Sequence, residues 1–132
     1  MLDFSNSKIL IVGDVMLDKY YFGKVDRISP EAPVPIVNIQ KEESRLGGAS
    51  NVANNIVSLG GHSLLCGVIG HDLFGKEIER ISRHKNIDTF LLKTSSPTIT
   101  KARIIGGKQQ IVRVDYEDKS ELNADNKKLF RD

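Results

Sequence analysis

The chain has 132 residues, of which 39% are hydrophobic and 27% charged, with a formal net charge of +2 and a single cysteine. That length supports one core and not two full domains, and the apolar and charged fractions are those of a folded globular protein, not a disordered one. Lys and Arg are interleaved with Asp and Glu and form no basic stripe, which argues against a nucleic-acid partner.

In chain order, Lys8-Ile9-Leu10-Ile11-Val12-Gly13 is an almost continuous apolar run ended by glycine, the pattern of a strand buried on both faces of a parallel sheet. Tyr20-Tyr21-Phe22 and Val34 to Ile39 are strand-like pieces separated by Ser29-Pro30-Glu31-Ala32-Pro33, so they belong at an edge or project from the main sheet. Between Gly48 and Gly60, Ala49, Val52, Ala53, Ile56 and Val57 recur at helical spacing, with Asn51, Asn55 and Ser58 on the polar side and Gly60 as the stop. Ser63 to Ile69 reads as a second buried strand, with Cys66 as a core thiol. Asp72 can cap a helix that carries Phe74, Ile78 and Ile81 on one face. Thr89 to Lys93 is a third strand, and the runs flanking Gly106-Gly107 form a hairpin. From Leu122 a further helix opens, with Asn123 or Asp125 as its cap. The order of elements predicts an α/β sheet with a smaller β layer formed by the 18–40 region.

No apolar stretch approaches the roughly 18 residues of a membrane span, and no signal-peptide pattern precedes Lys8. A lone cysteine fits a reducing compartment, so the expectation is a cytoplasmic protein with no membrane contact. The three histidines, His62, His71 and His84, have no ligand-like spacing, and no metal site is expected. A GxxxxGK[ST] loop and a GxGxxG after a strand are both missing from the sequence.

The run Leu46-Gly47-Gly48-Ala49-Ser50-Asn51-Val52-Ala53, followed by Gly60 and Gly70, carries the strongest signal. Glycines at a helix start leave backbone N–H groups open to a ligand. The spacing matches the first signature of the ribokinase-type (PfkB) carbohydrate kinases at every fixed position, and the chain resembles that family. Gly13-Asp14-Val15-Met16-Leu17-Asp18 with Tyr20 and Gly23, the stretch Ile28 to Pro35, Val68-Ile69-Gly70-His71-Asp72, Thr98 to Arg103 and Gln109-Gln110 are similar to the branch that phosphorylates D-glycero-D-manno-heptose 7-phosphate. The resemblance covers roughly residues 8 to 118 and implies a ribokinase-like α/β fold, a parallel-sheet core with a small projecting β lid at 18–40. It implies an ATP- and Mg2+-dependent sugar kinase of ADP-heptose and lipopolysaccharide synthesis, often fused to an adenylyltransferase. The lid implies a homodimer contact.

By that resemblance Asp18 accepts hydrogen bonds from sugar hydroxyls; its other reading is a turn or helix-capping Asp. Asp14 ties down the loop after the first strand or touches sugar. Gly47 and Gly48 offer backbone N–H groups and Asn51 a side-chain amide, against the plainer reading of a glycine-rich helix entry. Met16 stands where several ribokinase relatives carry Asn, which weakens a ribose or nucleoside reading. Lys101 and Arg103 alternate on one strand face and suit a phosphate, with Arg45 and Arg27 as rivals. Gln109, Gln110, Arg113 and Asp115 could equally be cross-strand partners.

The family's second half carries a Gly-Ala-Gly-Asp motif that supplies the catalytic base and anion hole, and the sequence has no such motif. The expectation is therefore an N-terminal segment over 1–132, without catalytic residue or ATP pocket. On its own it should bind neither ATP nor Mg2+ well, and it should leave an apolar sheet edge or face exposed. The alternatives are another ribokinase-type kinase for a sugar or sugar phosphate, and a non-catalytic sugar-phosphate binding module.

Overall fold

The computed structural model describes residues 3–118, 122 and 124–129. In chain order it runs β1 (Lys8–Val12), β2 (Val15–Ile28), β3 (Pro35–Gly47), α1 (Gly48–Ser58), β4 (His62–Gly70), α2 (Leu73–His84), β5 (Asp88–Thr94), β6 (Ile99–Gly106), β7 (Gln109–Tyr116) and α3 (Ala124–Leu129). β1, β4 and β5 form a parallel three-stranded sheet in the order β1-β4-β5. Parallel neighbours need crossovers, and α1 and α2 lie in them.

Both helices cover the same face of this sheet. Leu65 and Ile69 of β4 pack with Ala53 of α1 and with Ile78 and Ile81 of α2, and Val15, Leu17 and Leu46 join the same core. In α1 the predicted stripe holds for Ala49, Ala53 and Val57, which pack in the core, but Val52 is 49% exposed, while Ser50 is fully buried. A buried hydroxyl needs partners, and Ser50 Oγ donates to the carbonyls of Gly47 at 2.6 Å and Met16 at 3.1 Å. Gly60 ends the helix as expected: it holds φ +89°, and its N–H reaches the Val57 carbonyl. Asp72 caps α2 by accepting from the Gly75 N–H, and Phe74, Ile78 and Ile81 face inward as the spacing predicts.

The other face of the sheet is largely bare among the described residues, with Leu122 near Val12 and Val68, contrary to the expectation of strands buried on both faces. Leu10 is 62% exposed, Val12 63%, Leu64 41% and Phe90 53%. Leu10 is in register with Leu64, and Val12 with Cys66 and Phe90, so these side chains share one surface. Cys66 is half-buried on that surface, not a core thiol. The reason is architectural: a parallel sheet is buried only when helices lie on both sides, and here α1 and α2 lie on the same one.

The second sheet is larger than the predicted β layer. It has four strands in the order β3-β2-β6-β7, so the 18–40 region supplies only parts of two of them. β2 runs antiparallel to β3 and parallel to β6, and β6 and β7 form the expected hairpin, with Gly107 at φ +64° in its turn. Stretches such as Asp18-Lys19 and Lys41-Glu42-Glu43 do not look like strands by apolarity. They pair because the charges are matched on both faces: Lys41 and Arg45 bond Glu43 on one, and Lys19 bonds Glu42 at 3.1 Å on the other. Pro35 opens β3, which is an edge strand, as proline requires; β2 is interior.

The last helix begins at Ala124, so Asp125 lies within it and does not precede it; Asn123 is outside the described residues. Among the described residues, no helix is long and apolar enough to cross a membrane.

Candidate functional site

The site forms where the chain crosses between the two sheets. β1 passes through Gly13-Asp14 into β2, and β3 passes through Gly47 into α1. Met16 is in register with Gly47, and Val15 makes an isolated bridge with Gly48. Gly48 sits at φ +54°, in the left-handed region that favours glycine. Gly47 has ordinary extended backbone; what excludes a side chain is contact, because a Cβ there would lie 2.6 Å from Asp18 Oδ2 and 2.9 Å from Met16 Cγ. The glycine pair therefore lets the helix start lie against Asp18. The Ala49 N–H donates to the Asp14 carbonyl at 2.9 Å, so Asp14 ties the loop through its backbone. The Asp14 side chain is exposed, beside a smaller hollow with Val12 and Val68.

Asp18 shares one face of the second sheet with Tyr20, Glu43, Arg45 and Arg103. Its register partners are Arg45 on β3 and Lys101 on β6; two residues along, Tyr20 is beside Glu43 and Arg103. Arg103 Nη1 donates to Asp18 Oδ1 at 2.6 Å. That hydrogen bond holds the Arg103 pKa above its ordinary value, so the guanidinium stays charged. The Arg103 guanidinium lies 5.2 Å from the Tyr20 ring centroid and that of Arg45 4.7 Å, so one aromatic ring orients two cations. Arg45 also bonds Glu43, Nη2 to Oε2 at 2.6 Å.

A cleft of about 580 Å³ opens beside this face, lined by Asp18, Tyr20 and Arg45 from the sheet, Asn51 and Asn54 from α1, and Lys85 just past α2. Chemically it joins a carboxylate and amides, suited to hydroxyl groups, to guanidinium groups suited to phosphate. Of the residues singled out from sequence, Asp18, Gly47, Asn51, Arg45 and Arg103 come together here. Gly48 sits one residue behind Gly47, and Lys101 beside Asp18 across the β2–β6 pair. Arg27 does not join them; it lines a separate hollow with Asp26 and Ile36. Arg113 and Asp115 pair with each other at 2.9 Å along β7, opposite Arg103 and Lys101, while Gln109 and Gln110 are in register with Gly106 and Ile105.

Sequence reasoning missed Tyr20, Glu43, Asn54, Lys85 and the tie made by Ser50. Tyr20 is two residues from Asp18 on a strand, and Asn54 is three from Asn51 on a helix, so periodicity could have found both. Lys85 has no local signal. Among the described residues, no group of three or more His, Cys, Asp or Glu is placed to hold a metal ion.

Residues 6–131 match the model of the pfkB family carbohydrate kinases. The chain belongs to the pfkB family. It is 50% identical over 121 residues to a D-beta-D-heptose 7-phosphate kinase of Bordetella bronchiseptica, covering 91% of this chain and 39% of that protein. It is 52% identical over 127 residues to the bifunctional protein HldE of Helicobacter pylori strain P12, covering 95% of this chain and 28% of that protein. The pfkB chain thus spans well under half the length of these relatives. Among solved structures, a carbohydrate kinase from Agrobacterium tumefaciens superposes with a TM-score of 0.66 at 21% identity, over 93% of this chain and 37% of that one. A fructokinase with bound ATP from Xylella fastidiosa superposes with a TM-score of 0.61 at 22% identity, over 83% and 33%. These two bear on the fold alone, and they agree with a ribokinase-like α/β architecture.

Proposed function

We propose that this chain is the sugar-binding, N-terminal part of a kinase that transfers phosphate from ATP to the anomeric hydroxyl of D-glycero-D-manno-heptose 7-phosphate, in ADP-heptose synthesis for lipopolysaccharide. The observation that carries this reading is a cleft lined by Asp18, Asn51 and Arg45, with the Arg103 guanidinium bonded to that Asp18. A neutral sugar has no use for the cations, and a phosphate alone has none for the carboxylate. A relative at 50% identity that is named a heptose 7-phosphate kinase supports the particular sugar.

In this reading Asp18 and Asn51 accept and donate hydrogen bonds to sugar hydroxyls, and the α1 start at Gly47 and Gly48 closes against the sugar. Arg103, Arg45 and Lys101 take the 7-phosphate. Asp14 acts through its loop. These residues position the acceptor hydroxyl, which is one part of phosphoryl transfer. The part that stabilises charge needs a base and an anion hole. With no Gly-Ala-Gly-Asp motif in the chain and no carboxylate set for Mg2+ among the described residues, ATP and Mg2+ belong in this reading to the rest of a longer enzyme.

The bare face of the core sheet is the surface such a second half would cover. A groove of about 530 Å³ on the second sheet, lined by Val37, Ile39, Ile104 and Val112, supports a homodimer through that sheet acting as a lid. A cytoplasmic location accords with this chemistry.

The test is to read the coding DNA beyond codon 132 and assay the complete product with ATP and a panel of phosphorylated sugars. A frame that continues into Gly-Ala-Gly-Asp, with selective turnover of heptose 7-phosphate, supports the proposal. Preference for fructose phosphates moves the reading to another family member. A stop after Asp132, with sugar-phosphate binding and no turnover, leaves a binding module in its place.

A further inference from the structure

The Gly70-His71-Asp72 run ends in a carboxylate that does more than cap a helix. Capping uses one oxygen: Asp72 Oδ1 accepts from the Gly75 N–H at 2.8 Å. The other oxygen reaches across the fold, where Asp72 Oδ2 accepts from the Thr98 N–H at 2.8 Å. The Thr98 hydroxyl closes the cluster by donating to Asp72 Oδ1 at 2.7 Å and accepting from the Gly70 N–H at 2.8 Å. Thr98 is fully buried, so each of these groups depends on its protein partner. The two glycines make room for the cluster. A Cβ on Gly70 would lie 2.7 Å from Asp72 Oδ2, and one on Gly75 would lie 2.6 Å from the Gly70 carbonyl.

Thr98 is also the residue at which the chain enters β6. From Ile99 the strand pairs with β2, placing Lys101 opposite Asp18 and Arg103 opposite Tyr20. A one-residue slip would turn Lys101 and Arg103 to the opposite face, where Thr100 and Ala102 are now buried. The end of β4, the start of α2 and the start of β6 are thus joined by the Asp72 carboxylate and the Thr98 hydroxyl, and the third of these carries the cations of the site.

We propose that Asp72 is a positioning residue for the sugar-phosphate site: by clamping Thr98 it sets the start of β6 and so the placement of Lys101 and Arg103 against Asp18. The kinetic part of the test rests on the kinase reading above; the exchange part does not.

Three variants of the complete gene product separate the clamp from the cap. Asp72→Ser keeps a good helix cap but has no second oxygen for Thr98. Thr98→Val removes the hydroxyl, and Thr98→Ser retains it. Asp72→Ser and Thr98→Val are expected to raise KM for the phosphorylated sugar about tenfold, equivalent to about 1.4 kcal/mol. kcat and the KM for ATP should change less than twofold, and Thr98→Ser should stay within twofold of wild type throughout. In parallel, amide hydrogen exchange over 99–103 should quicken in Asp72→Ser relative to the amides of β4. A fall in Tm with an unchanged sugar KM, or unchanged exchange over 99–103, would reduce Asp72 to a helix cap and overturn the proposal. If the wild-type product turns over no phosphorylated sugar, the kinase reading fails, and the exchange comparison alone decides the clamp.

Discussion

Replacing Gly47 with Ala tests how the site is built. The backbone at Gly47, φ −120° and ψ 169°, is open to any residue, so the substitution carries no conformational strain. Its whole effect is the methyl group, which would meet Asp18 Oδ2 at 2.6 Å and Met16 Cγ at 2.9 Å. Both lie well inside the optimal separation of about 3.5 Å. Met16 can bend away. Asp18 is held by Arg103 at 2.6 Å and can retreat only by giving up that bond or pushing the start of α1 outward together with Asn51. Overpacking of this kind costs about 1–3 kcal/mol of stability. Gly60→Ala is the matched control, since nothing lies within 4 Å of its Cβ position and its φ is +89°. Left-handed backbone there costs Ala about 1–2 kcal/mol, far from the cleft. In the complete gene product, both variants should lower the urea midpoint by similar amounts. Calorimetric titration with the phosphorylated sugar should separate them: more than tenfold weaker binding for Gly47→Ala, less than twofold for Gly60→Ala. Equal affinities would refute the claim that the glycine exists to admit the Asp18 carboxylate.

Arg103→Gln should weaken binding of the phosphorylated sugar tenfold or more, since a charged hydrogen bond contributes about 1.5–3 kcal/mol. Titration against the unphosphorylated sugar is the check, and an equal loss for both sugars would remove Arg103 from phosphate recognition. Burial raises the Asp72 pKa, but the hydrogen bonds from Thr98 and Gly75 outweigh it, so the carboxyl sits below its ordinary range when folded. Its stabilisation is therefore complete above the unfolded pKa of about 4 and lost as pH falls through the folded value. The difference in urea midpoint between wild type and Asp72→Asn should shrink from neutral pH to about pH 3, and a gap that stays constant would contradict this assignment. Expressed alone, residues 1–132 should self-associate through the bare face of the core sheet. Sedimentation should show oligomers that Leu10→Glu with Leu64→Lys disperses; a monodisperse wild-type segment would show that the face needs no cover.

Most of the elements were legible in the sequence because their signals are local. The apolar run of β1, the stop at Gly60, the Asp72 cap and the glycine turn at Gly107 each depend on a few adjacent residues, and each stands where it was expected. The glycine signature likewise marked the start of α1, and the resemblance singled out Asp18 and Asn51, which line one cleft. Other features were decided only by the tertiary structure. That β2 lies parallel to β6 follows from pairing across some eighty residues, and this pairing puts Arg103 on Asp18 while Arg27, equally basic, falls elsewhere. The burial of Ser50 in place of Val52 depends on which carbonyls Met16 and Gly47 present to the helix. The two glycines follow the same division: a positive φ at Gly48 is a local demand of the chain, whereas the need for glycine at position 47 exists only once the Asp18 side chain has been brought against it. Periodicity reports what a segment can bury, and the partners it is buried against are supplied by segments distant in sequence.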